Sequence, residues 1–131
     1  MNNPTTWKYI FYLKAVINWV ESLALLFADR WIRELLGEKP LTNPEYLQLF
    51  LVLVIVVGIG YWWVGNDISR NHNIVKLGIY AQFSVFGVLA YQTLAGNVHP
   101  FYLIPGVIDL TFAILFVVFL SSYPRIKPAL E

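Results

Sequence analysis

Four apolar runs separated by short polar turns set the pattern of this chain. Each run is close to the ~20 residues that an α-helix needs to cross the hydrocarbon core of a bilayer. They predict spans at about 7–27, 45–65, 74–94 and 101–122. The second run carries no charge from Leu47 to Gly65. Its β-branched stretch from Val52 to Val57 would suit a buried strand in a soluble domain, but the length of the run decides for a helix. The connections read EKPLTNP, NDISRNHN and AGNVHP, and Pro40 and Pro44 end any helix in the first of them.

The segment DRWIRELLG after the first run has a different period. Trp31, Ile32, Leu35 and Leu36 alternate with Asp29, Arg30, Arg33 and Glu34 at helical spacing. This predicts a short amphipathic helix on the membrane surface, ended by Gly37. The expected fold is therefore all-α: a single polytopic domain over residues 1–131, a four-helix transmembrane bundle with one interfacial helix after the first span. No internal repeat divides it.

Composition strengthens the membrane reading. Of 131 residues 58% are hydrophobic and 13% charged, and the mean hydropathy is +0.61, too apolar for a soluble domain of this size. A formal net charge of +1 speaks against nucleic acid as a partner. The absence of cysteine removes disulfides, thiolate metal sites and dithiol chemistry. No cleavable signal is read in the first run, because Lys14 and Glu21 interrupt it. No Walker loop, nucleophile elbow, zincin motif or metal-ligand cluster occurs, so neither cofactor nor metal is expected.

Four crossings place both termini on one side. Lys8, Lys14, Arg70, Lys76, Arg125 and Lys127 fall on that side, against Arg30, Arg33 and Lys39 on the other. The positive-inside bias then predicts cytoplasmic termini, in a membrane of the bacterial inner-membrane type. Trp7, Tyr9, Trp62, Trp63 and Tyr123 are expected as an aromatic belt at the inner surface, and Trp31, Tyr46 and Tyr102 at the outer one.

Candidate chemistry lies in the polar residues inside the spans. A charged side chain at mid-helix costs on the order of 2.5–3.5 kcal/mol on insertion scales, so such groups face the bundle interior. Lys14, Asn18 and Glu21 fall within an arc of roughly 60° on the first helix. Measured from the outer ends of their helices, Glu21 lies about 9 Å deep and Asp109 about 12 Å, whereas Lys14 sits roughly 10 Å beyond Glu21. Glu21 and Asp109 are accordingly expected as neighbours, and two carboxyls in low dielectric would share a proton. Lys14, Asn18, Gln92, His99 and Tyr102 complete the candidate ligand-binding set. The competing reading is structural. Glu21 would hydrogen-bond Gln92 or Asn18, Asp109 would cap backbone freed by Pro105, and the polar groups would hold helix register. Ala81, Ser84 and Gly87, three residues apart, offer a face on which a neighbouring helix can approach closely. The turn residues Asp67, Arg70, Asn71 and His72 read as a solvated turn.

The stretches LLFADRWIRELLG, VGIGYWWVGNDISRN and IPGVIDLTFAILF resemble, in their order along the chain, small four-helix bacterial membrane proteins of the DoxX-like kind. The resemblance implies a four-helix bundle of the sort often found as an accessory subunit. DoxX is associated with a thiosulfate:quinone oxidoreductase, but no catalytic motif here carries that activity over.

Three functions stay open at this stage. The first is a non-catalytic accessory subunit or lipid-binding scaffold, with membrane lipids and a protein partner or second copy as its company. The second is an intramembrane acid/base enzyme of the isomerase or cyclase type, acting through Glu21 and Asp109 on an isoprenoid-, sterol- or quinone-like substrate. The third is a small proton-coupled transporter.

Overall fold

The computed structural model describes residues 2–131, and every described segment with regular structure is helical. Four long helices follow one another: α1 Pro4–Leu35, α2 Pro44–Asn66, α3 His72–Leu94 and α4 Leu103–Ile126. A 3₁₀ turn, Pro100–Tyr102, leads into α4, and another, Lys127–Leu130, follows it. All four long helices are long and apolar enough to cross a membrane.

The starts and stops follow local chemistry. Asn3 caps α1 by accepting the Thr5 N–H at 2.9 Å, with Pro4 in the first turn where no amide partner is lost. Pro44 likewise stands in the first turn of α2, where Asn43 makes no side-chain cap bond. At the end away from the termini, α1 and α3 both close on a glycine with positive φ, Gly37 at +72° and Gly96 at +78°. There the Glu38 N–H returns to the Arg33 carbonyl and the Asn97 N–H to the Gln92 carbonyl, the geometry for which glycine removes the Cβ clash.

The helices pack as two antiparallel hairpins, α1 with α2 and α3 with α4, and the hairpins touch each other far less closely than their own members do. Backbone approach in the first hairpin depends on two glycines. A Cβ on Gly58 would stand 2.7 Å from Trp19 Nε1, and one on Gly65 would stand 2.6 Å from the Tyr12 ring. Across the hairpins, Gly78 of α3 accommodates the Tyr61 hydroxyl of α2.

Three expectations change here. Residues 28–35 continue α1 as one 32-residue helix and form no separate interfacial element, because nothing between Phe27 and Leu36 breaks a helix. At 1.5 Å per residue α1 is about 48 Å long, well beyond a hydrocarbon core of ~30 Å, so its last turns carry Asp29, Arg30, Arg33 and Glu34. Trp7 is not part of a surface belt but is fully buried. It shares a helical face with Phe11 and Ala15 and meets Phe119 at 5.3 Å between ring centroids. Ala81, Ser84 and Gly87 do not pack against a neighbouring helix of this chain. All three are exposed, and a Cβ on Gly87 would meet nothing. The glycines that do seat a neighbouring helix are Gly58, Gly60, Gly65, Gly78 and Gly106.

The 67–72 turn is a solvated turn. Asp67 accepts hydrogen bonds from the Ser69 amide and hydroxyl, which hold its carboxyl below the usual range, and Asn71 takes a left-handed conformation at φ 64°. His72 turns inward, with its ring edge-on to Tyr123 and Phe119.

Candidate functional site

The interior of the bundle changes character along its length. Towards the termini it is filled by rings: Phe11 stacks on Phe116 at 4.8 Å and meets Phe119 edge-on, and Tyr61 closes on Phe116 from α2. These contacts also fix the register of α1 against α4. With Phe11 beside Phe116, each step forward on α1 matches a step back on α4, so Asp109 comes level with Asn18. Asp109 thus lies about one turn from Lys14 on one side and about one turn from Glu21 on the other.

Lys14 takes it. The Lys14 ammonium donates to Asp109 Oδ1 at 2.5 Å, and the lysine side chain is 2% exposed. Opposite charge and a long flexible stem decide the pairing. The carboxyl–carboxyl neighbourhood expected from depth alone is therefore an ion pair between α1 and α4, with Glu21 on the next turn of α1. The Lys14 ammonium also lies 5.5 Å from the centre of the Phe112 ring. Pro105 sits in the first turn of α4, and Asp109 is engaged by Lys14 rather than by backbone near that proline.

Beyond this pair the interior opens into a cavity of about 320 Å³, within the range of about 300–1,000 Å³ typical of small-molecule sites. All four helices contribute to it. Leu25, Leu47, Leu51, Val54, Val85 and Leu89 supply apolar wall, Asn18, Glu21, Ser22 and Asp109 supply polar groups, and Arg33, Glu38, Asn97 and Tyr102 stand near the mouth. A second space of about 200 Å³ adjoins it, lined by Lys14, Tyr61 and Gln82 together with Asn18, Val54 and Asp109, which the two share. Leu53 and Ala81, both exposed, also line the second space. It thus reaches the outside of the bundle between α2 and α3.

Each polar group has a defined state. Asn18 donates to the Val54 carbonyl at 3.2 Å, and next to it the Trp19 indole donates to the Ile55 carbonyl at 3.1 Å. Those carbonyls can take a second bond because Gly58, a turn further on, leaves them uncovered. Gln82 donates back to the Gly78 carbonyl, which leaves its amide oxygen buried and unpartnered. Ser22 is fully buried and its hydroxyl has no partner either. Glu21 makes no hydrogen bond or ion pair among the described residues. At the mouth, Arg33 holds Asp29 at 3.0 Å and Glu38 at 3.4 Å, and its guanidinium lies over the Tyr102 ring at 5.5 Å. The Tyr102 hydroxyl is buried without a partner.

Of the residues predicted from the sequence, Asn18, Glu21, Tyr102 and Asp109 come together at the larger cavity and Lys14 joins them through the smaller one. Gln92 and His99 do not line either space. Gln92 accepts from the Asn97 amide at 2.8 Å, and His99 Nδ1 accepts the Phe101 N–H at 3.0 Å to cap the turn into α4. Ser22, Gln82 and Arg33 are additions. Ser22 could have been found, since it lies one helical repeat beyond Asn18 on the same stripe. Arg33 could not, because its place at the mouth depends on α1 continuing unbroken. Among the described residues no group of three or more potential ligands could hold a metal ion. Compared with family models, curated proteins and solved structures, the chain matches none.

Proposed function

We propose that this protein is a small integral membrane protein that binds a lipid or another lipophilic molecule inside its bundle, as a binding scaffold and not as an acid/base enzyme. The observation that carries this is the cavity of about 320 Å³ with apolar walls and a few convergent polar groups, two of them buried without partners. Unpaired buried polar atoms are costly and are uncommon where nothing is bound. The isomerase or cyclase reading needs two carboxyls sharing a proton, and Lys14 engages Asp109. A proton-coupled transporter would rest on Glu21 alone.

Native mass spectrometry of protein extracted gently from its own membrane tests this. The proposal expects a small lipophilic mass on the wild type that is lost in Val54→Trp, whose larger side chain intrudes on both spaces that Val54 lines. A wild type that carries no such mass, or carries it unchanged in the filled variant, contradicts it.

A subunit role is a second reading supported by a separate observation. The α3 span is the least covered of the four, 17% buried against 28% for α1, and Gly87 on it is open. A stoichiometric companion or second copy lost in Gly87→Leu would support that role. The charge bias of the loops supports cytoplasmic termini, which reporter fusions at the C-terminus would test.

A further inference from the structure

We infer that the occupant of the larger cavity is a lipophilic cation, an amine or quaternary ammonium on an apolar body, received by the Glu21 carboxylate. This rests on the binding role proposed above and adds the charge of the ligand.

The argument is one of charge and of unfilled bonds. The two adjoining spaces are lined by three carboxylates, Glu21, Glu38 and Asp109, against two cations, Lys14 and Arg33. Four of these five groups are paired, Lys14 with Asp109 and Arg33 with Glu38, the arginine being shared with Asp29, which lines neither space. The surplus negative charge is Glu21, which faces the cavity with no ion-pair partner. A carboxylate held in an apolar setting takes up a proton unless it has a counter-charge or several donors, and the cation whose charge reaches Glu21, Lys14, is already bound to Asp109. Asn18 gives one amide hydrogen to the Val54 carbonyl and makes no hydrogen bond to Glu21.

A second observation points to a ligand independently of the charge. Ser22, adjacent in sequence and lining the same cavity, is fully buried with an unpartnered hydroxyl. Ser22 can accept a hydrogen bond from an ammonium N–H, or turn its oxygen towards a quaternary head. The apolar wall of Leu25, Leu47, Val54 and Leu89 suits an acyl or aryl body. An anionic head would meet Glu21 directly, since Lys14 and Arg33 are already engaged.

The test uses the full chain in nanodiscs of phosphatidylcholine, with protein-free nanodiscs as the blank, and two calorimetric titrants of equal chain length: dodecyltrimethylammonium and 1-dodecanol. The inference expects the cation to bind about tenfold or more tightly than the alcohol, and Glu21→Gln to weaken the cation by about tenfold or more while leaving the alcohol unchanged. If both probes bind equally and Glu21→Gln alters neither, the cavity is a binding site without charge preference and only this inference falls. Should neither bind above the blank, the inference and the binding role fall together. If Glu21→Gln does not fold, the preference of the wild type between the two probes decides alone.

Discussion

Below the Lys14–Asp109 pair, towards the termini, ring lies against ring. Beyond it, the same four helices enclose a cavity. The difference comes from residue type on one seam. The inward face of α1 begins with Trp7, Phe11 and Ala15 and continues with Asn18, Glu21 and Ser22. Opposite it, α4 replaces Phe119, Phe116 and Phe112 with Asp109 and Pro105. Small and polar side chains cannot fill the width that paired rings fill, so the polar stretch becomes a void. In a bilayer this division has an energetic meaning. Lipid tails are as apolar as leucine, so helix association relies on close packing and polar links. The ring-filled half supplies the packing, and the hollow half is free to take a ligand.

The largest expected effect is at the boundary between the halves. Lys14→Met or Asp109→Leu alone leaves one buried charge unpaired and should cost about 3–5 kcal/mol. The double substitution should recover most of that, which unfolding in mixed micelles would measure. A double variant as damaged as either single one would break the boundary role given to the pair.

Truncation on either side sharpens the comparison. Phe116→Ala should lose about 2 kcal/mol, mainly the cavity part of the cost because transfer to lipid adds little. Leu25→Ala, whose side chain already faces open space, should lose less than about 1 kcal/mol by the same reasoning. Equal losses would mean that the two halves are packed alike. A smaller effect, about 1–2 kcal/mol, is expected for Gly58→Ala, read as lower thermal stability. Its methyl must displace the Trp19 indole and cover the carbonyls that Asn18 and Trp19 use.

The four spans were legible in the sequence because length and hydropathy are local properties, and the helix ends lie within a few residues of expectation except at α1. There the amphipathic period of residues 28–35 is real, but no proline or glycine separates it from the span, and a helix without a breaker continues. Lys14, Asn18 and Asp109 were legible as interior groups from the cost of charge in lipid. Their pairing was not. The register that Phe11 and Phe116 set leaves Asp109 within about one residue of its expected depth, roughly midway between Glu21 and Lys14, and the opposite charge and long stem of Lys14 decide the pairing, which depth alone does not show. The position of Trp7 at the start of its helix suggests the surface, although its four-residue spacing from Phe11 puts it on the buried face. The exposed triplet on α3 has the spacing of a packing motif, but spacing does not say whether the partner lies in the same chain.

The chain has no cysteine, so single cysteines can report directly on whether the far half is hollow and reachable. A small methanethiosulfonate applied to the protein in native membranes should modify Leu25→Cys readily and Ala15→Cys hardly at all, with modification at position 25 slowed in Val54→Trp. Equal labelling at positions 15 and 25, or none at 25, would contradict the division of the bundle into a filled half and an open one.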